Sequence, residues 1–234
     1  MIVVISTFMT LAEALVFWRQ NALILSRADF YWSVTIGDEQ ADVGELSQVC
    51  DPDRTAILKK RDRCYAEGWN NAVRQMAAQS WPLDRMRACF LGTGDAILRA
   101  PGELDLSMNV VAVGMISRNG IVQQKLPQKR VSFATLSAWT PSCLFPAAML
   151  ATYCFPETAR IASDIDIFFE CFDKRLTFRQ IEGFEVGMED GGLSSQVIAS
   201  TREYRKLYEN RYGFSILARI AEKLKQFRHQ IRKY

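Results

Sequence analysis

MIVVISTFMTLAEALVFWRQNALILSRADFYWSVTIGD, residues 1–38, decides how the rest of the chain is read. Ile2–Phe8 is a short, β-rich apolar run of the kind that forms a buried parallel strand. Leu11–Ser26 reads as a helix, and Phe30–Ile36 as a second strand. Gly37–Glu45 follows as an acidic, turn-rich loop. Further on, Arg54–Leu58 reads as a short third strand, Ala66–Gln79 as a helix and Ala88–Leu91 as a fourth strand that runs into Gly92-Thr93-Gly94-Asp95. Strands alternating with helices imply a parallel α/β sheet.

After Asp95 the pattern changes. Met108–Ser117 and Ile121–Leu126 are strand-like and separated by Arg118-Asn119-Gly120, and Asn-Gly is a strong hairpin signal. Residues 160–195, RIASDIDIFFECFDKRLTFRQIEGFEVGMEDGGLSS, hold a close acidic pair, Asp164 and Asp166, at the mouth of an apolar helix-like run. A Gly191-Gly192-Leu193-Ser194 turn lies at its far end. Carboxylates at the mouth of an apolar element are costly unless solvated, paired or employed. Carboxylates at a helix N-terminus also stabilise its dipole. That role suits Asp166 more than Asp164.

With 234 residues, 49% of them hydrophobic and 24% charged, the chain can build a sizeable core. Residues 202–234 carry ten Lys/Arg against three Glu, so a basic tail follows a body of net charge −4. Six cysteines are scattered without a C-x-x-C pair, the usage of reduced cytoplasmic thiols. The single histidine, His229, lies in the tail, which argues against Ser-His-Asp, Cys-His and His-ligated zinc chemistry. No P-loop and no G-x-G-x-x-G follows the first strand, so ATPase and dinucleotide readings lack their main support. Charged Glu13 and Arg19 soon interrupt the apolar N-terminal run, and neither a signal peptide nor a transmembrane helix is expected.

In open α/β sheets ligands bind beyond the carboxyl ends of the strands. Asp38 and Asp42 follow the second strand, Asp62 and Glu67 flank the start of the helix at Ala66, and Asp95 follows the fourth strand. A single carboxylate after a Gly-Thr-Gly turn suits Mg²⁺ or Mn²⁺, which complete their shell with diphosphate oxygens and water.

Taken in order, these segments resemble family 2 glycosyltransferases of the GT-A fold, in particular bacterial polysaccharide-biosynthesis members with an N-A-G-D type metal motif. Ile5-Ser6-Thr7-Phe8-Met9 resembles the family's "P-T-Y-N" segment, and Asp38 and Asp42 the acids of its "D-G-G-S-T-D" loop. Asp62 and Asn70 match "D-K-G-I-Y-D-A-M-N", with Glu67 in place of Asp. Phe90-Leu91-Gly92-Thr93-Gly94-Asp95 resembles "F-L-N-A-G-D". Asp164 falls on the catalytic base, with Gly191-Gly192-Leu193-Ser194 on the later turn. Pro141–Ala148 stands where the subgroup has "H-Q-x-x-F-x-R-R", and Val113-Gly114-Met115 where it has "Y-G-D"; both departures fall on the acceptor side.

The resemblance implies a mostly parallel Rossmann-like sheet with an antiparallel hairpin insertion and a C-terminal helical tail. It implies one domain over 1–213, with a nucleotide-sugar half at 1–98 and an acceptor-side half at 99–213, followed by a basic amphipathic helix at 214–234. The implied activity is inverting, metal-dependent transfer of a sugar from a UDP-, GDP- or dTDP-sugar to a glycan, lipid-linked or other hydroxyl acceptor. Thr7, Asp38, Asp62 and Asn70 would bind the nucleotide, and Asp95 would hold Mn²⁺ or Mg²⁺. Asp164 would act as base, with Asp166, Gly191, Gly192 and Ser194 on the acceptor side. The alternative is a non-catalytic nucleotide-sugar-binding or membrane-associated protein on a degenerate form of this fold.

In the tail, Ile216, Leu217, Ile220, Leu224, Phe227 and Ile231 recur at helical spacing among Lys and Arg. That pattern fits a helix lying peripherally on the inner face of an anionic membrane, and equally one packed on the domain. The acidic body offers no extended basic surface, so no nucleic-acid partner is expected.

Overall fold

The structure, a computed structural model, describes residues 1–102, 104, 107–127, 139–189 and 197–231. Its first half alternates strand and helix: β1 (Ile2–Phe8), α1 (Leu11–Leu25), β2 (Phe30–Ile36), α2 (Gly44–Val49), β3 (Thr55–Lys59), α3 (Tyr65–Ala78) and β4 (Arg87–Phe90). All seven residues of β1 are buried, as a strand covered on both faces requires. Its side chains alternate. Ile2, Val4 and Phe8 join Phe17, Trp18 and Trp32 on the α1 face, while Val3 and Ile5 join Ala72, Val73 and Phe90 on the α3 face.

α1 starts with a reciprocal cap. The Glu13 amide donates to Thr10 Oγ1 at 3.3 Å, and Glu13 Oε2 accepts from the amides of Thr10 (3.3 Å) and Met9 (2.8 Å).

β5 (Asp95–Arg99), β6 (Val110–Arg118), β7 (Ile121–Gln123) and β8 (Cys143–Pro146) follow, then the short α4 (Ala147–Leu150) and α5 (Ile165–Asp173). β9 (Thr177–Met188), α6 (Val197–Tyr212) and α7 (Ile216–Ile231) complete the chain. The β6–β7 hairpin turns at Asn119 and Gly120, with φ of 50° and 75°. This is the left-handed geometry that an Asn-Gly pair accepts most readily.

Among the described residues the sheet has nine strands in the order β3-β2-β1-β4-β8-β6-β9-β5, with β7 on β6. β1 to β4 are mutually parallel; β8 runs antiparallel to β4 and β6; β9 is parallel to β6 and antiparallel to β5. β5 follows β4 in the chain yet pairs at the far end of the order. It still touches α1, so the sheet curls back on itself. The architecture is the GT-A-like α/β arrangement anticipated above.

Several elements go beyond the sequence reading. A short helix, Gly44–Val49, starts at the end of the acidic Gly37–Glu45 loop, and it, β5, β8, β9 and α6 were not anticipated. A third small core joins Ile165 and Phe169 of α5, Leu207 of α6 and Ala218 of α7.

Candidate functional site

Because β1 to β4 point the same way, the segments that leave their carboxyl ends share one edge. Thr7, Asp38, Asp62 and the Gly92–Gly94 turn before Asp95 are brought there by topology alone. At this edge lies a cleft of about 460 Å³, lined in part by Thr7, Asp62, Tyr65, Arg160, Ile161 and Glu203.

Thr7 and Asp62 form the cleft's first pair. Thr7 Oγ1 donates to Asp62 Oδ2 at 3.3 Å, and Asn71 Nδ2 donates to Asp62 Oδ1 at 2.6 Å. Asn71 is itself held, its Oδ1 accepting from Lys60 Nζ (3.1 Å) and Arg74 Nη1 (2.8 Å). Burial raises the Asp62 carboxyl above its ordinary range despite these bonds. The close approach depends on Gly68. A Cβ there would lie 2.2 Å from Thr7 Oγ1 and 2.8 Å from Asp62 Oδ2.

The other two predicted nucleotide ligands, Asp38 and Asn70, have different surroundings, as does Asp42, the second acid of the loop. Asp38 and Asp42 are exposed, and each accepts a backbone N–H two residues on, from Gln40 (3.0 Å) and Gly44 (2.9 Å). Asn70 is buried and bonds the backbone of Phe155 in both directions, at 3.0 and 2.7 Å, fastening the 155–157 segment to α3. Its neighbour Asn71 is the amide that reaches Asp62.

Asp95 opens β5 with 9% of its surface exposed. Its Oδ2 accepts the Gly92 N–H at 2.8 Å. Burial pushes its carboxyl up to about 7, against the pull of the Gly92 N–H, and the nearby Glu189 carboxylate adds to the rise. Asn21, buried in α1, fixes this corner: its Nδ2 donates to Asp95 O at 3.2 Å and its Oδ1 accepts Ile97 N–H at 2.7 Å. Tyr65 of the cleft wall is raised by burial and by the charges of Glu13 and Asp95, which ties Asp95 electrostatically to the cleft.

Two carboxylates, one desolvated, are the donor set that hard divalent cations take with phosphate oxygens as co-ligands. Asp95 and Glu189 are the carboxylates at this corner that could hold such a cation. Among the described residues no group of three or more His, Cys, Asp or Glu forms an all-protein metal cage.

On the opposite side of the cleft, Glu203 of α6 accepts the amides of Ile161 (2.8 Å) and Ala162 (3.0 Å), and so holds the segment that leads into Asp164. Asp164 stands at the N-cap position of α5 but makes no capping bond with its side chain. Its Oδ2 instead accepts from Thr140 Oγ1 at 2.9 Å. Partial solvent access remains, while dense packing around the carboxyl raises it above the ordinary range. Asp166 is tied differently: it accepts from Tyr153 Oη at 2.8 Å and pairs with Arg211 at 3.2 Å. Gly191, Gly192 and Ser194 lie outside the described residues.

Asn71, Asn21, Thr140, Glu203 and Arg160 were absent from the sequence reading. Only Asn21 left a local trace, as an amide on the apolar face of α1. Asn71, Thr140 and Glu203 are defined by partners 9, 24 and 42 positions away, and Arg160 by its place in the cleft wall.

No protein-family model matches the chain, and neither does any curated protein. Solved structures do. The chain is similar to S. aureus TarS residues 1–349 in complex with UDP, with a TM-score of 0.55 and 12% identity over 89% of this chain and 65% of that one. S. aureus TarS residues 1–349 in a second structure gives a TM-score of 0.53 at the same identity and coverage. S. aureus TarS gives 0.51 at 11% identity, over 89% of this chain and 40% of that one. The chain thus spans a little under two thirds of the 1–349 segment.

Proposed function

We propose that this protein is an inverting glycosyltransferase of the family 2 type, with a nucleotide-sugar donor in the cleft beside Thr7 and Asp62. The observation that carries the reading is a GT-A-like sheet whose strand ends bear that cleft, together with two desolvated carboxylates outside its lining: Asp95, which follows the β4 turn, and Asp164, which follows the Arg160–Ile161 wall. The likeness to TarS in complex with UDP supports a nucleoside diphosphate as the leaving group.

In this reading Thr7 and Asp62 meet the nucleoside, and Arg160 offers positive charge at the cleft wall. Asp95 with Glu189 would hold Mg²⁺ or Mn²⁺, whose charge would offset that developing on the departing diphosphate. Asp164 accepts the proton of the acceptor hydroxyl. The hydroxyl oxygen forms a bond to the anomeric carbon as the bond from that carbon to the diphosphate oxygen breaks, and the configuration inverts. A raised pKa suits a base that works near neutral pH. Thr140 holds the carboxylate and Glu203 fixes its approach, so both are positioning residues.

The test is turnover of a panel of UDP-, GDP- and dTDP-sugars with Mn²⁺, following nucleoside diphosphate release. Release by the wild type and its loss in Asp95→Ala and Asp164→Asn, both still folded, is the expected result. Wild-type protein that binds a nucleoside diphosphate but turns over no donor would mark a non-catalytic binding protein instead.

A further inference from the structure

We infer that α7 is a membrane-surface helix that lays its outward apolar stripe on an anionic lipid bilayer. α7 docks on α6 through its opposite side. Ala218 is fully buried, and Glu222, 7% exposed, pairs with Arg205 at 2.6 Å. Lys225 lies over the Tyr204 ring at 5.4 Å. The large apolar side chains face away from these contacts: Ile216, Leu217, Ile220, Leu224, Phe227 and Ile231 are each at least half exposed. A helix that merely covers its own domain points such residues inward. This one is inverted.

The flanking charge selects the occupant. At 3.6 residues per turn, exposed Lys223 borders the stripe on one side and exposed Arg228 on the other. Leu217, Ile220, Leu224, Phe227 and Ile231 also have coiled-coil spacing, which would suit a second copy of the chain. Self-pairing would nevertheless set Lys223 and Arg228 against one another with no acid to offset them, because the one acid of α7, Glu222, is buried and already paired. Basic residues either side of an apolar stripe instead match a surface that is apolar below and anionic above. No described helix is long and apolar enough to cross a membrane, so the contact is a surface one.

The experiment is co-sedimentation of the full chain with vesicles of phosphatidylcholine alone or with phosphatidylglycerol, at low and high salt. The expected result is pelleting with the anionic vesicles, weakened by salt. Lys223→Glu with Arg228→Glu should weaken it about tenfold or more, since each surface cation contributes on the order of 1 kcal/mol. Ile220→Ser with Leu224→Ser should abolish it. All four sites are exposed, so unchanged circular dichroism is expected in both variants. Equal partitioning of wild type and variants, or equal binding to neutral and anionic vesicles, overturns the inference. So does a lipid-independent dimer, seen by light scattering, that the serine pair dissolves.

Discussion

Asp164 is the residue whose environment makes the sharpest prediction. Its folded-state pKa is raised by burial, so the stability linked to its protonation is fully present below its unfolded value, about 3.9, and is lost as the pH rises through the folded value. At neutral pH the native protein therefore carries a penalty that Asp164→Asn lacks, while the Thr140 hydroxyl still finds an oxygen to donate to. The variant should melt a few degrees above wild type near pH 7, with the gap closing as the pH approaches 4. Thermal unfolding followed across that range checks it, and a gap independent of pH would remove the assigned cause. The same substitution should lower turnover by about 10²- to 10⁴-fold. Gly68 offers a second test. Gly68→Ala places a methyl group inside contact distance of Thr7 and Asp62 and should cost about 1–3 kcal/mol, with loss of nucleotide affinity. Gly102→Ala, where no atom lies within 4 Å, should stay within about 0.5 kcal/mol of wild type by denaturant titration.

At the scale of elements, the joint between α5 and α6 rests on Arg211, whose guanidinium bonds Asp166, Glu170 and Asp173. Removing it leaves three carboxylates facing one another. Arg211→Met should cost roughly 2–4 kcal/mol, near the low end for a broken buried ion pair because the Arg211 side chain keeps 23% exposure. Since Asp164 is the N-cap residue of α5, donor turnover should fall with stability, and high salt should recover part of the stability by screening the acids. A variant as stable as wild type would show that the network is ornamental.

Elements like these also mark where sequence reading stops. β1, β2, β4, α1, α3 and the Asn119-Gly120 hairpin were legible because burial on both faces, capping or left-handed turn geometry is written into neighbouring residues. β9 was not. Its twelve residues, TFRQIEGFEVGM, mix charge with apolar positions and are broken by Gly183 at a φ of 85°. Its strand character comes from β6, 67 to 70 positions upstream, and from β5, 86 to 93 positions upstream. A register shift at Gly114, where a Cβ would sit 2.5 Å from Phe184 O, lets β6 and β9 come together, and no local pattern announces that. The site divides the same way. Carboxylates after strands could be found from the strands themselves, whereas Thr140, Glu203 and Asn71 exist as site residues only after the chain has closed.

For the molecule as a whole, parallel strand direction turns sequence order into a shared edge. Asp62 and Asp95 are 33 residues apart, yet Tyr65 beside Asp62 already feels the Asp95 charge. If that edge is one donor site, a nucleoside diphosphate should stabilise the entire fold, because a ligand that binds only the native state raises the unfolding free energy by mass action. At a hundredfold excess over the dissociation constant the gain is about 2.7 kcal/mol, or roughly 5–11 °C in melting temperature for a chain of this size. UDP, GDP and dTDP should be compared with and without Mn²⁺. One of them should reach that shift with the metal, Asp95→Ala should reduce it to the metal-free value, and Asp62→Ala should reduce it under both conditions. The paired charge reversal at Lys223 and Arg228 should leave it intact, because α7 meets the rest of the chain through its other face. No shift with any diphosphate would leave the cleft without its proposed occupant, whatever α7 does at a membrane.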